Sequence, residues 1–194
     1  MGCDIHSFAE FKKDGKWVRN DEPIFSPGTS YGDNVTEPFG NRSYSTFGFL
    51  AGVRNYSHCT PISEPKGLPT DSEYLNTPLP EPQNFSYSGY DNGTATTNGG
   101  EIECDADYHY LSYLTLKELL DYDYEQTFWD RRISRTTYND KGGSFTNGAS
   151  LAEEGEGSII TYREHLGEWF FNEIEILKTL GEPENVRIIF FFDN

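Results

Sequence analysis

Polar and apolar residues alternate from the start of this chain. In Cys3–Phe11, residues Cys3, Ile5, Ala9 and Phe11 fall on one side and Asp4, His6, Phe8 and Glu10 on the other, the period of two that marks a β-strand. Asp14-Gly15 is a strong turn signal, and Lys16-Trp17-Val18-Arg19 reads as the returning strand. Residues 3–19 are therefore predicted to form a hairpin with Phe11 opposite Val18 and Glu10 opposite Arg19, an apolar pair and an ion pair.

The period changes further along. Phe47, Leu50, Ala51 and Arg54 recur at helical spacing, which predicts a short helix ending near Arg54. Thr115–Glu118 and Thr161–Glu164 both have the Thr-x-x-Glu form of a capping box. The first opens a helix through Leu119 and Leu120. The second opens one that carries Leu166, Phe170, Ile174 and Leu177 on one face and stops at Gly181, with Pro183 just beyond. Glu101–Tyr110 and Thr127–Tyr138 read as strands. In Val186–Asn194 six of nine residues are apolar, which predicts a central strand covered on both faces.

Between these elements the pattern lapses. Residues 20–42 hold Pro23, Pro27, Pro38 and three glycines and read as a surface excursion. Six prolines between 61 and 82 predict an ordered wrapping loop. The stretch 84–100 reads as a loop or an irregular hairpin tip, and the Gly-rich, acidic 139–158 as a loop. The segments 20–42, 84–100 and 139–158 look like insertions. An N-terminal hairpin and a buried C-terminal strand with helices between them predict a single α+β domain over 1–194: one mainly antiparallel sheet, two to three helices and long loops.

Mean hydropathy is low, at -0.68, but 13 Tyr, 14 Phe and 3 Trp supply burial that the aliphatic count hides. The 15 basic residues against 32 acidic ones leave a net charge of -17. That argues against general nucleic-acid binding and against docking on an anionic membrane. No apolar run reaches the roughly 18 residues of a membrane span. Three cysteines, Cys3, Cys59 and Cys104, without a CxxC pair point to a reduced, cytoplasmic setting. Met-Gly-Cys resembles an acylation signal, but His6 stands where a myristoylation pattern has Ser or Thr.

Candidate chemistry gathers in two places. Asp4 and His6 share a strand face, and Asp105, Asp107 and His109 would share one if extended. If Asp4, His6, Asp105 and His109 met across a sheet, they would form a carboxylate–imidazole site able to hold a divalent cation and activate water. Arg54, Asn55, His58 and Lys66 are placed to meet an anionic small molecule, with His6 and His109 as further ligand contacts. Arg131, Arg132 and Arg135 would present guanidiniums from a strand, where an ion-paired surface is the simpler reading. His165, in the first turn of its helix, reads as a surface residue. Cys59 follows His58 directly, and adjacent residues on an extended chain point apart, so they do not make a nucleophile–base pair.

The opening Met-Gly-Cys-Asp-Ile-His resembles that of an uncharacterised family of small proteins of bacteriophages and some bacteria. The resemblance continues at Phe49–Asn55, at Pro61–Glu64 with Gly67-Leu68-Pro69, at Leu114–Leu116 with Glu118–Leu120, and from Val186-Arg187-Ile188 to Phe192-Asp193-Asn194. It implies a phage-associated, single-domain protein of the host-cell cytoplasm and assigns no activity.

Two functions of different class follow. The first is a binding protein that needs no cofactor: a counter-defence sponge that sequesters a nucleotide immune signal, for which a homo-oligomer with shared pockets is a natural form. The second is a metal-dependent phosphodiester hydrolase using Asp4, His6, Asp105 and His109. A third reading is an acidic module that inhibits a basic host protein.

Overall fold

The computed structural model describes residues 2–27, 35–72, 92–97, 100–105, 108–133, 153 and 155–193, with backbone only for 92–97 and 100–105. The fold is α+β. Its strands are β1 (Asp4–Lys13), β2 (Lys16–Arg19), β3 (Asn92–Thr97), β4 (Gly100–Asp105), β5 (His109–Thr115), β6 (Thr127–Asp130), β7 (Ser158–Thr161) and β8 (Val186–Asp193). The α-helices are α1 (Tyr44–Ala51), α2 (Leu116–Asp121) and α3 (Tyr162–Leu177). The chain groups into two compact units, one of Met1–Arg42, Pro65–Asp121 and Asn172–Asn194, the other of Ser43–Glu64 and Tyr122–Phe171. No helix among the described residues is long and apolar enough to cross a membrane.

The first unit is built on an antiparallel sheet of order β2-β1-β8-β5. Its hairpin has the predicted register, with Phe11 opposite Val18 and Glu10 opposite Arg19, because Asp14 (φ 52°) and Gly15 (φ 81°) both take the positive φ that such a turn requires. As predicted, β8 is central. It pairs β1 from Asp4↔Asp193 to Phe11↔Val186, and β5 on its other side. One face carries Ile5, Ala9, Leu114, Ile188, Phe190 and Phe192, all buried. The other carries Asp4, His6, Phe8 and Glu10 beside Asp193, Phe191, Ile189 and Arg187.

That second face is covered in part by residues 65–72 of the expected wrapping loop. Leu68 packs on Phe8 and Ile189, Gly67 N–H donates to Leu111 O at 3.0 Å, and Lys66 N–H donates to Ser112 Oγ at 3.1 Å. Beneath it lies a buried charge network. Arg187 Nε donates to Glu10 Oε2 at 2.7 Å and Nη1 to Asp71 Oδ1 at 2.7 Å, while the guanidinium stacks on Trp17 at 4.0 Å. Ser72 Oγ donates to the other Glu10 oxygen. Glu10 keeps Arg19 as its strand partner, but its carboxylate takes Arg187, from a strand far away in sequence, and Arg19 Nε lies 3.0 Å from Asp21 Oδ1.

The stretch 20–42 departs from the expected surface excursion where it is described. Phe25 and Phe39 are buried, and the buried Glu173 accepts Ser26 N–H at 3.1 Å and Phe39 N–H at 3.2 Å. Burial lifts Glu173 above the usual carboxylate range, against the pull of those two hydrogen bonds.

In the second unit, Ser43 caps α1 through Thr46 N–H. The helix ends at Ala51 rather than near Arg54, because Gly52 turns left-handed (φ 73°), with its N–H closing on Gly48 O and Val53 N–H on Phe47 O. Phe49 forms an aromatic core with Tyr122, Tyr124, Tyr162 and Phe170. Both capping boxes form: Thr115 with Glu118 in the first unit, Thr161 with Glu164 in the second. Leu166, Phe170, Ile174 and Leu177 are buried as α3's periodicity predicts, although the helix kinks at Gly167 (φ 72°).

Two strand predictions need adjustment. β6 stops at Asp130 and pairs with β7; residues 134–138 lie outside the described residues. The strand expected over 101–110 is divided between β4 and β5, and β4 pairs with β3 in a hairpin covering much of 92–105.

Candidate functional site

The residues that opened the chain's pattern assemble at one end of the main sheet. Antiparallel pairing of β1 with β8 sets Asp4 opposite Asp193 and His6 opposite Phe191. Asp193 Oδ2 lies 2.9 Å from His6 Nε2, and Asp193 Oδ1 accepts Asp4 N–H at 3.2 Å. Arg42, arriving from the 35–42 segment, forks onto Asp4, with Nε to Oδ1 at 2.7 Å and Nη2 to Oδ2 at 2.5 Å. Gly2 makes room for this fork: a Cβ there would lie 2.8 Å from Arg42 Nη1. The opening glycine thus leaves space for the guanidinium, whose flexible side chain would have to shift to admit a larger residue.

The His6 ring stacks on Phe191 at 5.3 Å with 16° between planes, and Tyr108 packs against both, at 5.3 Å from His6 and 4.6 Å from Phe191. This end is partly open, with the His6 and Asp193 side chains 37% and 34% exposed. Burial pulls the His6 imidazole down, but the hydrogen bond and charge of Asp193, with the charges of Glu37 and Asp4 behind them, outweigh it and lift His6 above the ordinary histidine value. The hydrogen bond from His6 holds Asp193 below the usual carboxylate range.

His109 does not join this group. An unbroken ladder continuing Ser112↔Phe190 would set His109 opposite Asp193, on the His6 face. A register shift between His109 and Ser112, with Tyr110 at φ 54°, sets it opposite Phe192 instead. One extra residue in the strand sends the side chain to the other face, where the His109 ring lies 6.2 Å from Phe192. Asp105 ends β4; its side chain, and all of Asp107, lie outside the described residues. Among the described residues no group of three or more His, Cys, Asp or Glu is placed to hold a metal ion.

The proposed anion contacts are distributed between the units. Lys66, in the first, pairs with Glu118 and lies over Tyr113 at 5.1 Å. Arg54, Asn55 and His58 are in the second. Asn55 turns inward: its Nδ2 donates to Cys59 O at 2.7 Å, and its Oδ1 accepts from Ser57 Oγ at 3.1 Å and from Cys59 N–H at 3.1 Å. Gly48 permits this, since a Cβ there would be 3.0 Å from Asn55 Oδ1. Arg54 (φ 49°) and His58 (φ 59°) flank this hub in left-handed backbone, and His58 is exposed while Cys59 is buried.

His165 corrects the surface reading, since it is buried. Its Nδ1 faces Arg132 Nη2 at 3.2 Å and its Nε2 faces Ser57 Oγ at 3.3 Å. A guanidinium only donates, so Nδ1 accepts and the neutral ring donates Nε2–H to Ser57, which donates onward to Asn55. Every bond in the relay runs from Arg132 towards Asn55. His165 therefore holds no lone pair towards Ser57 and cannot serve as its base. Burial, with Arg132's charge adding to it, pushes His165 down to about 4, and burial raises the Cys59 thiol. Asp130 anchors the relay, taking Arg132 Nε at 2.9 Å and Nη2 at 2.6 Å. Arg131 lies over Trp129 at 5.0 Å, and Arg135 is outside the described residues.

Sequence reasoning missed Arg42, Tyr108, Phe191 and Asp193. Asp193 had a usable signal: a first strand and a last strand paired antiparallel bring Asp4 to it. Arg42 had none, because its contact with Asp4 joins segments 38 residues apart. No family model matches the chain, and no curated protein or solved structure matches it either.

Proposed function

We propose that this chain is a small-ligand binding protein that holds a nucleotide-like molecule by its base at the His6 end of the main sheet, without chemical turnover. The observation that carries this reading is the half-open cluster of His6, Phe191 and Tyr108, whose rings pack together beside the partly exposed His6–Asp193 pair. Flat ring faces next to polar groups suit a nucleobase, which stacks through its π face and is oriented through its edge. Binding is favoured over the four-residue hydrolase because Asp4 is forked by Arg42, His6 is bonded to Asp193, and His109 faces the other way. With the resemblance to phage proteins, the role proposed is sequestration of a host nucleotide signal.

The test is a mix-and-recover assay. Protein is incubated with cyclic di- and trinucleotides and cyclic ADP-ribose isomers, with and without Mn²⁺, then heat-denatured, and the small molecules are separated by chromatography. A compound depleted by the protein and returned intact on heating supports the proposal. Conversion to a new product only with metal would establish the hydrolase. If every compound stays free and unchanged, the ligand reading is lost and a protein partner becomes the target of search.

A further inference from the structure

We infer that the His6 end of the sheet reads the amino-bearing edge of the base and not the phosphates of the ligand. This rests on the binding reading above and adds to it which part of the ligand is recognised. Asp4 and Asp193 flank the His6 ring on the same sheet face, and Glu37 is close enough to act on His6 electrostatically. Against them stand the Arg42 guanidinium and the His6 imidazole, whose charged form the carboxylates favour. Both face a carboxylate already: Arg42 grips Asp4 through two hydrogen bonds, and His6 is bonded to Asp193.

A phosphate arriving here would meet more negative than positive charge, and would have to take Arg42 from Asp4. An amino group meets the opposite situation. Among the described residues Asp193 Oδ1 accepts Asp4 N–H and Oδ2 meets His6, and a carboxylate oxygen has a second lone pair to offer. The carboxylate is 34% exposed, beside the rings on which a base would stack. A hydrogen bond from a neutral donor to a carboxylate is charge-assisted, and a base lacking that donor leaves the acceptor unpaired.

The experiment is isothermal titration of the full chain with two nucleoside pairs, adenosine with purine riboside and guanosine with inosine, and with inorganic phosphate. Each pair differs at an exocyclic amino group, and none of the four carries a phosphate. At least one amino-bearing nucleoside is expected to bind at least tenfold more tightly than its partner, and phosphate is expected not to compete. Asp193→Asn and Glu37→Gln, each checked for an unchanged melting profile, should shrink that ratio; Glu37→Gln serves if the first variant does not fold. Equal affinities within both pairs, or displacement by inorganic phosphate, would overturn the inference while leaving base binding in place. If neither nucleosides nor the nucleotides of the recovery assay bind, the binding reading itself falls.

Discussion

His6 and His165 each stand beside a charged partner, yet their surroundings push them in opposite directions. In the first unit His6 is half-open and bonded to Asp193, so its charged form is favoured despite partial burial. In the second unit His165 is buried with a guanidinium on Nδ1, so burial and like charge act together and keep it neutral. One imidazole is built to carry a proton and the other to pass a hydrogen bond along a relay. The ion pairs differ too: the first unit buries both partners of Glu10–Arg187, while in the second Arg132 stays partly exposed over the buried Asp130 and feeds a relay through His165, Ser57 and Asn55.

The strongest way to break this contrast is to remove a buried charge. Arg187→Met leaves Glu10 in the interior without its guanidinium, and should cost about 3–5 kcal/mol in urea unfolding. Adding Glu10→Met to it should recover most of that loss, because the uncompensated charge goes with it. A double mutant no more stable than the single would show that packing against Trp17, not charge, makes Arg187 matter.

Acid sharpens the contrast next. His165 has a folded value near 4 against an ordinary 6.5, so below pH 6.5 the unfolded chain takes up a proton that the folded one refuses. The stability held above pH 6.5 is lost as pH falls towards 4, by an amount on the order of 3 kcal/mol. Urea unfolding from pH 7 to pH 4 should show this slope in the wild type, and His165→Gln should flatten it.

For His6 the sign reverses. Its raised value means that the pair with Asp193 contributes fully below pH 6.5, down to where the depressed Asp193 carboxyl begins to protonate. The contribution fades as pH rises through the folded His6 value. His6→Ala should therefore destabilise at pH 6 and hardly at pH 9, by less than about 1 kcal/mol for so open a pair, and less again in high salt. A loss that is equal at both pH values would assign His6 to packing alone. The smallest effect is expected from Gly2→Ala, where the intruding methyl meets the mobile end of Arg42: a few tenths of a kcal/mol, read by thermal melting, with loss of the fork onto Asp4 as the structural signature.

Local rules carried far into this fold. Asp14-Gly15 sufficed to set the hairpin register, because the turn type dictates it, and both Thr-x-x-Glu boxes mark true helix starts. The overrun of α1 to Arg54 came from giving periodicity more weight than Gly52, whose left-handed conformation ends the helix. At the candidate site Asp4 and His6 share a face as alternation predicts, but alternation fails at His109, where a single inserted residue reverses every inference about sides. His165 was misread because a position in the first turn of a helix does not reveal what packs against it. Ser57 and Arg132 lie 108 and 33 residues from it in sequence. Contacts of that kind are set by tertiary packing and leave no periodic trace.

The central position of β8 also governs when the protein can take shape. His6 waits for a partner 187 residues downstream, and β1 and β5 have no neighbour to share until the last strand arrives between them. As the chain leaves the ribosome, the early hairpin must stay unpaired along one edge until β8 has been made, and a lone two-stranded ribbon is marginal in water. Closing so long a loop puts most of the entropic cost before most of the reward, so the sheet of the first unit is expected to form late, in a step of milliseconds to seconds. Until then its open edges are the stretch of this protein most in need of protection from other chains.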